Sequence, residues 1–346
     1  MSTSRVAVIG AGISGMTAAY LLSHRHDVTV FEANDYIGGH THTVDVHADD
    51  GTHAVDTGFI VFNHETYPNF VRLMRHLGVE RQPGTMSFSV RDEEEGIEYR
   101  ASGLNTFFAQ RKNLLKPWMY RLIRDIFRFR RESVALLDRG TEAGSLGEYL
   151  REQRYSRRFV THFIVPMGAA IWSSGTQGVL DMPAVFFARF FHNHGFLRTR
   201  NRVEWRVIRG GSRNYIPKLT APYAERLHAS ARVTGVRRHD DRVDITIAGA
   251  GVRSFDEVVL ATHSDEARAI LEDADDDERA MLGAFPYSRN SAVLHTDTRM
   301  MPRTRRAWAS WNYHLSPSSE TESAVTYDMN MLQSLRADRT YLVTLN

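Results

Sequence analysis

The stretch VAVIGAGISGMTAAYLL, residues 6–22, decides the fold that the sequence predicts. It places G-x-G-x-x-G at Gly10, Gly12 and Gly15, between an apolar run at 6–9 and a helical pattern at 14–23. A second apolar run follows at 28–31. Short apolar runs bounded by glycine are typical of buried parallel strands, so residues 5–33 predict a strand–helix–strand unit.

Each glycine of this loop suits a dinucleotide. Gly10 permits the tight turn, Gly12 lets backbone N–H groups approach a pyrophosphate, and Gly15 allows close packing of helix and sheet. The helix N-terminus at Ile13 and Ser14 favours an anion. We therefore interpret the loop as a dinucleotide site rather than a chance glycine turn.

Glu32 stands at the end of the second strand, 22 residues after Gly10. A carboxylate in this position can accept hydrogen bonds from both ribose hydroxyls of an adenosine. It would repel a 2′-phosphate, which disfavours NADP at this site. The acid therefore strengthens the dinucleotide interpretation.

Composition limits the remaining possibilities. The 346 residues allow one large or two ordinary domains, and a net charge of +2 gives no indication of nucleic-acid binding. The absence of cysteine excludes disulfides, thiolate catalysis and Cys-ligated metals. The longest strongly apolar run, 163–172, is too short for a membrane span, and the N-terminus shows no signal peptide. We expect a cytoplasmic protein, with peripheral attachment to the inner membrane face left open.

Helical and strand patterns alternate along the chain in blocks. Helical spacing occurs at 66–77, 112–138, 144–165 and 183–192, and strand patterns at 231–237, 243–247, 257–262, 290–313 and 324–345. This order predicts an α/β protein with a Rossmann-like, doubly wound parallel sheet and an inserted α+β domain. We expect a dinucleotide domain at 1–62 and 205–264, and a substrate-binding domain at 63–204 and 265–346.

A second glycine motif extends the first. It consists of Phe31-Glu32-Ala33 and Ile37-Gly38-Gly39. Together with the loop, these residues resemble the FAD-binding signature of the flavin amine oxidase superfamily. That superfamily includes monoamine oxidases, protoporphyrinogen oxidase and phytoene desaturases. The resemblance implies FAD as cofactor, with Gly38 and Gly39 lying against its diphosphate. An arginine commonly follows this pair, whereas here His40 does, and a histidine can still donate a hydrogen bond.

Further segments match the same superfamily. VDTGF at 55–59 resembles the segment beside the flavin ring, and VIRGGS at 207–212 the segment leading back from the substrate domain. The strand at 231–233 resembles the one that meets the adenine, and FDEVVLAT at 255–262 the second strand-to-turn. The cofactor-binding residues that the resemblance implies are Gly10, Gly12, Ile13, Ser14, Gly15, Glu32, Ala33, Gly38, Gly39, His40, Thr41, Thr57, Gly58, Val233, Ala261 and Thr262.

Four further segments indicate the chemistry. They resemble a bacterial branch of NAD/FAD-binding oxidoreductases, and their sequences are DTGFIVFN, PMGAAIWSS, ATHSDEA and WASWNY. Some members of that branch are linked to modification of unsaturated fatty acyl chains. The resemblance implies an enzyme that dehydrogenates or desaturates its substrate by hydride transfer to flavin. No side chain identifies itself as a catalytic base, and the candidates are Asp56, His263 and Trp311.

An apolar acyl or isoprenoid chain, including membrane lipid, is the preferred substrate. A group of aromatic residues in the insertion would suit such a ligand or a core: Phe186, Phe187, Phe190, Phe191 and Phe196. A primary amine is the second choice. A non-catalytic protein that keeps the nucleotide fold but binds no flavin is the alternative of a different class.

Two features permit other interpretations. The residue types of a metal site occur at His40, His42, His47 and His53, with a carboxylate such as Asp45 or Asp56. Chance clustering among 16 histidines explains this group as well. We therefore predict no metal. His192 and His194 carry even less weight. The helical segment 112–131 puts an apolar arc opposite an arginine arc of Arg121, Arg124, Arg128 and Arg131. It could lie on anionic lipid, but the preferred interpretation is a substrate-domain helix with its arginines in water.

The end of the chain departs from the superfamily. Tyr341 to Leu345 has a buried-strand pattern, and the sequence stops one residue later. The glycine-rich strand–helix that makes the superfamily's last FAD contact is not found after Gly283. We therefore expect a C-terminal segment to be missing, which puts the flavin affinity of this polypeptide in question.

Overall fold

The structure is a computed structural model that describes residues 3–137, 144–198, 203–315 and 324–346. The strands, in chain order, are β1 Arg5–Ile9, β2 Asp27–Phe31, β3 Thr43–Ala48, β4 Gly51–Asp56, β5 Arg81–Pro83, β6 Phe88–Asp92, β7 Ile97–Arg100, β8 Arg206–Ile208, β9 Leu227–His228, β10 Val233–Arg238, β11 Val243–Ile247, β12 Gly251–Phe255, β13 Glu257–Leu260, β14 Ala292–His295, β15 Trp311–Leu315, β16 Ala324–Asp328 and β17 Leu342–Leu345. Position 138, the predicted end of one helix, lies outside the described residues.

The helices connect and cover these strands. The α-helices are α1 Ile13–Leu22, α2 Pro68–His76, α3 Leu104–Phe107, α4 Pro117–Leu136, α5 Leu146–Glu152, α6 Arg157–Phe159, α7 Val165–Trp172, α8 Thr176–Asp181, α9 Ala184–Asn193, α10 Ile216–Thr220, α11 Ser264–Ile270, α12 Asp276–Gly283 and α13 Met329–Gln333. Shorter helical turns span Arg111–Leu115, Ser212–Tyr215, Ala221–Arg226, Thr298–Met300 and Arg305–Ala307, and a π-helical turn spans Val160–Ile164.

A four-stranded parallel sheet carries the first glycine loop. Its strand order is β13-β1-β2-β9, with Val6 paired to Val28 on one side and to Glu257 on the other. The β-branched residues of β1 and β2 are buried on both faces, as a parallel sheet requires. The predicted α/β class with a parallel sheet is confirmed.

The two faces of this sheet are covered differently. Val6 and Val8 pack with α1 and the helical turns near Tyr215 and Tyr223. Ala7, on the opposite face, packs against the antiparallel sheet β10-β11-β12. Helices therefore cover one face of the parallel sheet, and a second sheet covers the other.

A six-stranded sheet organises the rest of the chain. Its order is β14-β17-β16-β15-β6-β7, in which β15 runs parallel to β6 and the other neighbours are antiparallel. The largest hydrophobic core lies between this sheet and helices α4, α5, α7 and α9. The hairpin β6–β7 lies between the predicted helical segments 66–77 and 112–138, where the sequence analysis predicted no strand.

Two predictions about the whole chain concern its domain boundaries and its membrane-spanning segments. The strands of the parallel sheet all fall within 1–62 and 205–264, but the boundaries of the two proposed domains remain a prediction. Within the described ranges, the helices include none that is long and apolar enough to cross a bilayer.

Candidate cofactor site and apolar cavity

Gly10 and Gly15 shape the turn between β1 and α1. Gly10 has φ +99°, and a Cβ placed on it would lie 2.6 Å from the carbonyl oxygen of Ala261. A Cβ on Gly15 would lie only 1.9 Å from the carbonyl oxygen of Gly10. The Ala261 N–H donates to the carbonyl of Ile9 at 2.8 Å, so the strand-to-turn after β13 packs directly on this loop.

The space around Gly12 is open, whereas Gly10 and Gly15 are closely packed. No atom lies within 4 Å of a Cβ built on Gly12. It is the N-cap of α1, where no side chain caps the helix and the first turn holds no acidic residue. Ile13 and Ser14 are exposed beside it. The free N–H groups of this helix end therefore face open space, as a diphosphate requires.

The second glycine pair packs on the first loop. Gly38 forms a parallel bridge with Gly12, and its N–H donates to the carbonyl of Ala11 at 3.0 Å. A Cβ on Gly39, which has φ +58°, would lie 3.1 Å from the Cα of Gly12. The two motifs, 23 or more residues apart in sequence, therefore form one continuous backbone surface.

Residues 57–58 run beside residues 40–42. The Thr57 N–H donates to the carbonyl of His42 at 2.9 Å, and a Cβ on Gly58 would lie 2.1 Å from the carbonyl oxygen of His40. The Thr41 hydroxyl is buried and hydrogen-bonded to the Tyr215 hydroxyl. These contacts bring the segment predicted to pass the flavin ring next to the second glycine motif.

Glu32 is buried at the end of β2. Its Oε2 accepts the N–H of Ala11 at 2.8 Å and its Oε1 accepts the N–H of Asn34 at 2.9 Å. A carboxylate has about four acceptor positions, so two remain for ribose hydroxyls. The Ala231 N–H donates to the carbonyl of Glu32, which puts the start of β10, with Val233, beside Glu32 and Ala33.

The sixteen predicted cofactor residues thus lie in two adjoining groups. One surrounds the open end of α1 and includes Ala261 and Thr262, and the other surrounds Glu32. The donor set fits FAD because an exposed helix N-terminus and a glycine-lined surface suit the diphosphate, and a fixed carboxylate suits the ribose.

Asp56, a catalytic candidate, is fully buried in a polar network. Its Oδ1 accepts hydrogen bonds from the hydroxyls of Thr43 and Ser212 and from the Ser212 N–H, and its Oδ2 accepts one from Gln333 Nε2 at 2.9 Å. Burial raises the pKa of Asp56, while the hydrogen bonds from Thr43 and Ser212 oppose that rise. This network ties β4, the turn after β8 and α13 together, which is a structural task.

The other two candidates lie in different places. His263 is exposed and its ring stacks between those of His40 and Tyr287, with centroid distances of 5.7 and 4.6 Å. Trp311 lines an apolar cavity, and its Nε1 is buried without a partner among the described residues. An indole N–H is a donor only, so of these two side chains the His263 imidazole alone could accept a proton, and a catalytic role for either stays a prediction.

The cavity beside Trp311 has a volume of about 150 Å³. It lies between β6, α4, α7, α9 and the loop that follows α9. Aromatic side chains dominate its wall, among them Phe88, Phe129, Phe163, Phe191, Phe196 and Trp311. Its charged or titratable lining residues are Arg130, His194 and Arg198, and none of the described lining residues is acidic.

The aromatic residues of the insertion divide between the cavity wall, the core and the surface. Phe191 and Phe196 line the cavity, whereas Phe187 is buried in the core and Phe186 is 50% exposed. The sequence interpretation missed the loop after α9. Its His194-Gly195-Phe196 run was the available signal, since Gly195 has φ +73° and turns the chain around the cavity.

The histidines considered as metal ligands have other partners. His42 Nδ1 lies 2.6 Å from the Thr57 hydroxyl, and His53 Nε2 lies 3.0 Å from Asp50. Asp45 is held by Arg213 at 2.6 Å. These pairings account for the segment without an ion.

A different cluster brings together Asp92, Glu95 and His162, whose ligand atoms lie within 4.8 Å of one another. Arg158 already reaches into it, 2.6 Å from Glu95 and 3.1 Å from His162 Nε2. Burial lowers the pKa of His162. The cluster is therefore an ion-pair network that contains its own cation.

Comparison with known proteins identifies the family. The model of the family described as flavin-containing amine oxidoreductase matches residues 13–341. The chain belongs to this family. FAD, predicted from the glycine motifs, is accordingly the family's cofactor, and the predicted oxidoreductase class is confirmed at the level of the family.

Relatives agree with this placement. The flavin-containing amine oxidase A of Canis lupus familiaris is 40% identical over 96 residues, which are 27% of this chain but only 16% of that relative. Cyclohexylamine oxidase from Brevibacterium oxydans superposes with a TM-score of 0.68 at 16% identity, covering 99% of this chain and 75% of that one. A conjugated-linoleic-acid (CLA)-producing fatty acid isomerase from P. acnes gives 0.66 at 18% identity, covering 99% and 76%. At such identities the structural likeness shows the fold alone.

Proposed function

We propose that the protein is an FAD-dependent oxidoreductase that removes two electrons from an apolar chain, such as an unsaturated fatty acyl or isoprenoid chain. The observation that carries this proposal is the open, glycine-lined end of α1 beside the fixed carboxylate of Glu32. When bound there, the flavin supplies the acceptor for the two electrons, which leave a substrate C–H bond as a hydride.

The chain's own residues hold and orient the cofactor. The N–H groups at Gly12, Ile13 and Ser14 receive the diphosphate, and Glu32 receives the ribose hydroxyls. The backbone at 57–58 and 261–262 is proposed to run beside the ribityl and ring end. His40 is exposed next to Gly39 and can donate a hydrogen bond to a phosphate oxygen.

The apolar cavity favours a substrate without positive charge. Its wall is aromatic, and Arg130 and Arg198 are the charged groups among its described lining residues. None of the described lining residues is a carboxylate that could pair with a primary ammonium, and the nearby carboxylate of Glu65 is already held by Arg198 at 2.8 Å. An ammonium without a counter-charge among aromatic side chains is unfavourable. An amine is therefore the second candidate. Cyclohexylamine oxidase and the fatty acid isomerase both share the fold of this chain, so the structural likeness does not decide between the two candidates.

The test is anaerobic reduction of the flavoprotein. The purified chain, loaded with FAD, is mixed with an unsaturated fatty acid, an isoprenoid or a primary amine, and the oxidised flavin band near ~450 nm is followed. We expect the apolar chains to bleach this band and the amine to leave it unchanged. Bleaching by the amine alone would favour the second candidate, and a chain that cannot be loaded would favour the non-catalytic alternative.

The location is also a proposal. We infer that the protein works in the cytoplasm and can draw an apolar substrate from membrane lipid, with a peripheral contact through residues 112–131. The exposed arginines of α4 support that contact. It does not depend on the cofactor, so it can be tested separately.

A further inference from the structure

Residues 103–137 form a surface on which exposed apolar and basic side chains are mixed. We call it the α4 face. Its exposed apolar members are Leu104, Leu114, Leu115, Tyr120, Phe127 and Val134, and its exposed basic members are Arg111, Lys112, Arg121, Arg124 and Arg131. Leu115 is 87% exposed and Leu104 68%. Contiguous exposed apolar side chains on a soluble protein mark an interaction site.

Helix α4 packs into the core through its other side, although Tyr120 also contacts Phe108, with ring centroids 5.3 Å apart, and donates to the carbonyl of Leu114 at 2.9 Å. Its inner side buries Met119, Leu122 and Phe129, along with other core residues, in the main hydrophobic core. Tyr120 and Phe127 stand on its outer side, 49% and 54% exposed, between arginines. A helix that only covers a core would have polar residues there. The outer side therefore keeps apolar surface at Leu115 and Phe127 that no core contact covers.

The charge of the α4 face is strongly one-sided. Residues 103–137 contain eight basic and two acidic residues, a net charge of +6, against +2 for the whole chain. Neither acid is exposed, since Asp125 is buried and Glu132 is half-buried against Arg128 and Tyr155. Within the described part of the chain, Lys112 makes no ion pair. The partner must accept both apolar side chains and positive charge.

We propose that the α4 face docks on an anionic lipid bilayer, with α4 in the plane of the surface. Leu115, Tyr120 and Phe127 would enter the boundary between headgroups and acyl chains, while the basic side chains contact lipid phosphates. A nucleic acid would complement the charge but not the exposed leucines. A second copy of this chain is the other occupant that the test distinguishes.

The position of the cavity makes this docking useful. Phe129 and Arg130 of α4 line the apolar cavity, within one turn of Phe127 on the α4 face. A docked α4 would therefore hold the cavity close to the acyl chains of the bilayer. This part of the inference rests on the proposed function, since it assumes that the cavity receives an apolar substrate.

The test is flotation of the purified chain with vesicles. Vesicles contain phosphatidylcholine alone or with about 30 mol% phosphatidylglycerol, and bound protein is measured after centrifugation. We expect flotation with the anionic vesicles only, and loss of binding at about 0.5 M NaCl. Protein that remains at the bottom with both vesicle types overturns the proposal.

Two paired variants locate the contact. Leu115→Ser with Phe127→Ser removes apolar contacts, and Lys112→Glu with Arg121→Glu reverses charge. Each pair should lower partitioning on the order of ten-fold or more. The matched controls change equally exposed residues elsewhere: Leu21→Ser with Val252→Ser, and Arg25→Glu with Arg336→Glu. Controls that lose as much binding as the variants would overturn the assignment to the α4 face.

Three further outcomes separate this inference from others. A chain that holds flavin but does not float overturns the docking surface and leaves the proposed function intact. A chain that floats but cannot hold flavin overturns the proposed function and leaves the docking surface intact. The parent could also form a dimer in gel filtration without floating, and Leu115→Ser with Phe127→Ser could convert that dimer to a monomer. This result would show that the surface binds protein and not lipid.

Discussion

Gly12 and Gly15 lie three residues apart in one loop, yet their surroundings differ completely. A Cβ on Gly12 meets nothing within 4 Å, whereas one on Gly15 would overlap the carbonyl of Gly10 at 1.9 Å. The motif alone shows that both are glycine but not why. In the folded chain, Gly15 is required by packing, whereas the space beside Gly12 is open and is where the proposed diphosphate would lie.

This contrast gives a paired prediction. Gly12→Val should leave the free energy of unfolding of the flavin-free protein within about 0.5 kcal/mol of the parent, because the side chain enters open space. It should also abolish flavin binding. Gly15→Ala should lower that free energy by at least about 2 kcal/mol through overpacking. Urea unfolding measures the free energy of unfolding of each variant, and absorbance measures its bound flavin. A Gly12→Val protein that keeps its flavin would contradict the assignment of Gly12 to the cofactor site.

His314 should make stability sensitive to acid. Burial, helped by the charge of Arg91, lowers its pKa from 6.5 to about 4. The folded-state pKa is therefore below the unfolded one, so the unfolded chain binds more protons between these values. Stability should fall as pH falls from about 6.5 to about 4, by about 3 kcal/mol for this residue.

The check is urea unfolding across that pH range. His314→Gln should flatten the loss of unfolding free energy relative to the parent, because the group that titrates is gone. His24→Gln changes an exposed histidine and serves as the control. Equal slopes for the parent and His314→Gln would show that this side chain does not titrate as the structure implies.

At the scale of elements, the sequence predicted what local patterns encode. The strand–helix–strand unit follows from its apolar period. The start of α12 is a local signal of the same kind, because Asp275 accepts the N–H of Glu278 in a capping box. The hairpin β6–β7 was missed although Gly96, with φ +61°, marks its turn. Its neighbour β15 begins more than 200 residues later, and local periodicity carries no information about such a pairing.

The cavity between the helices supplies a prediction at the same scale. Ser102 lies on its wall just after β7, so Ser102→Phe should fill it without touching the glycine loops. We expect bound flavin to be unchanged and the rate of bleaching by an apolar chain to fall by about ten-fold or more. Ser174→Phe, half-exposed and outside the lining, is the control. An unchanged rate in Ser102→Phe would place the substrate elsewhere.

At the scale of the whole molecule, long-range contacts build what the sequence could not show. Asp56 was a catalytic candidate because it stands in a motif, yet Ser212 and Gln333, distant in sequence, turn it into a buried anchor. The cavity draws its wall from at least five separate segments. The predicted cofactor residues, in contrast, rest on glycine motifs and a strand-end acid, which are local signals that the sequence alone displays.

The central claim is that the open end of α1 and Glu32 together bind an adenine dinucleotide. Titration of the flavin-free chain with FAD and with FMN, followed by flavin fluorescence, tests it most directly, since FMN lacks the adenosine that Glu32 would hold. We predict binding of FAD at least about ten-fold tighter than of FMN, and loss of that difference in Glu32→Ala. Equal affinity for both flavins in the parent, or an undiminished preference in Glu32→Ala, would contradict the account.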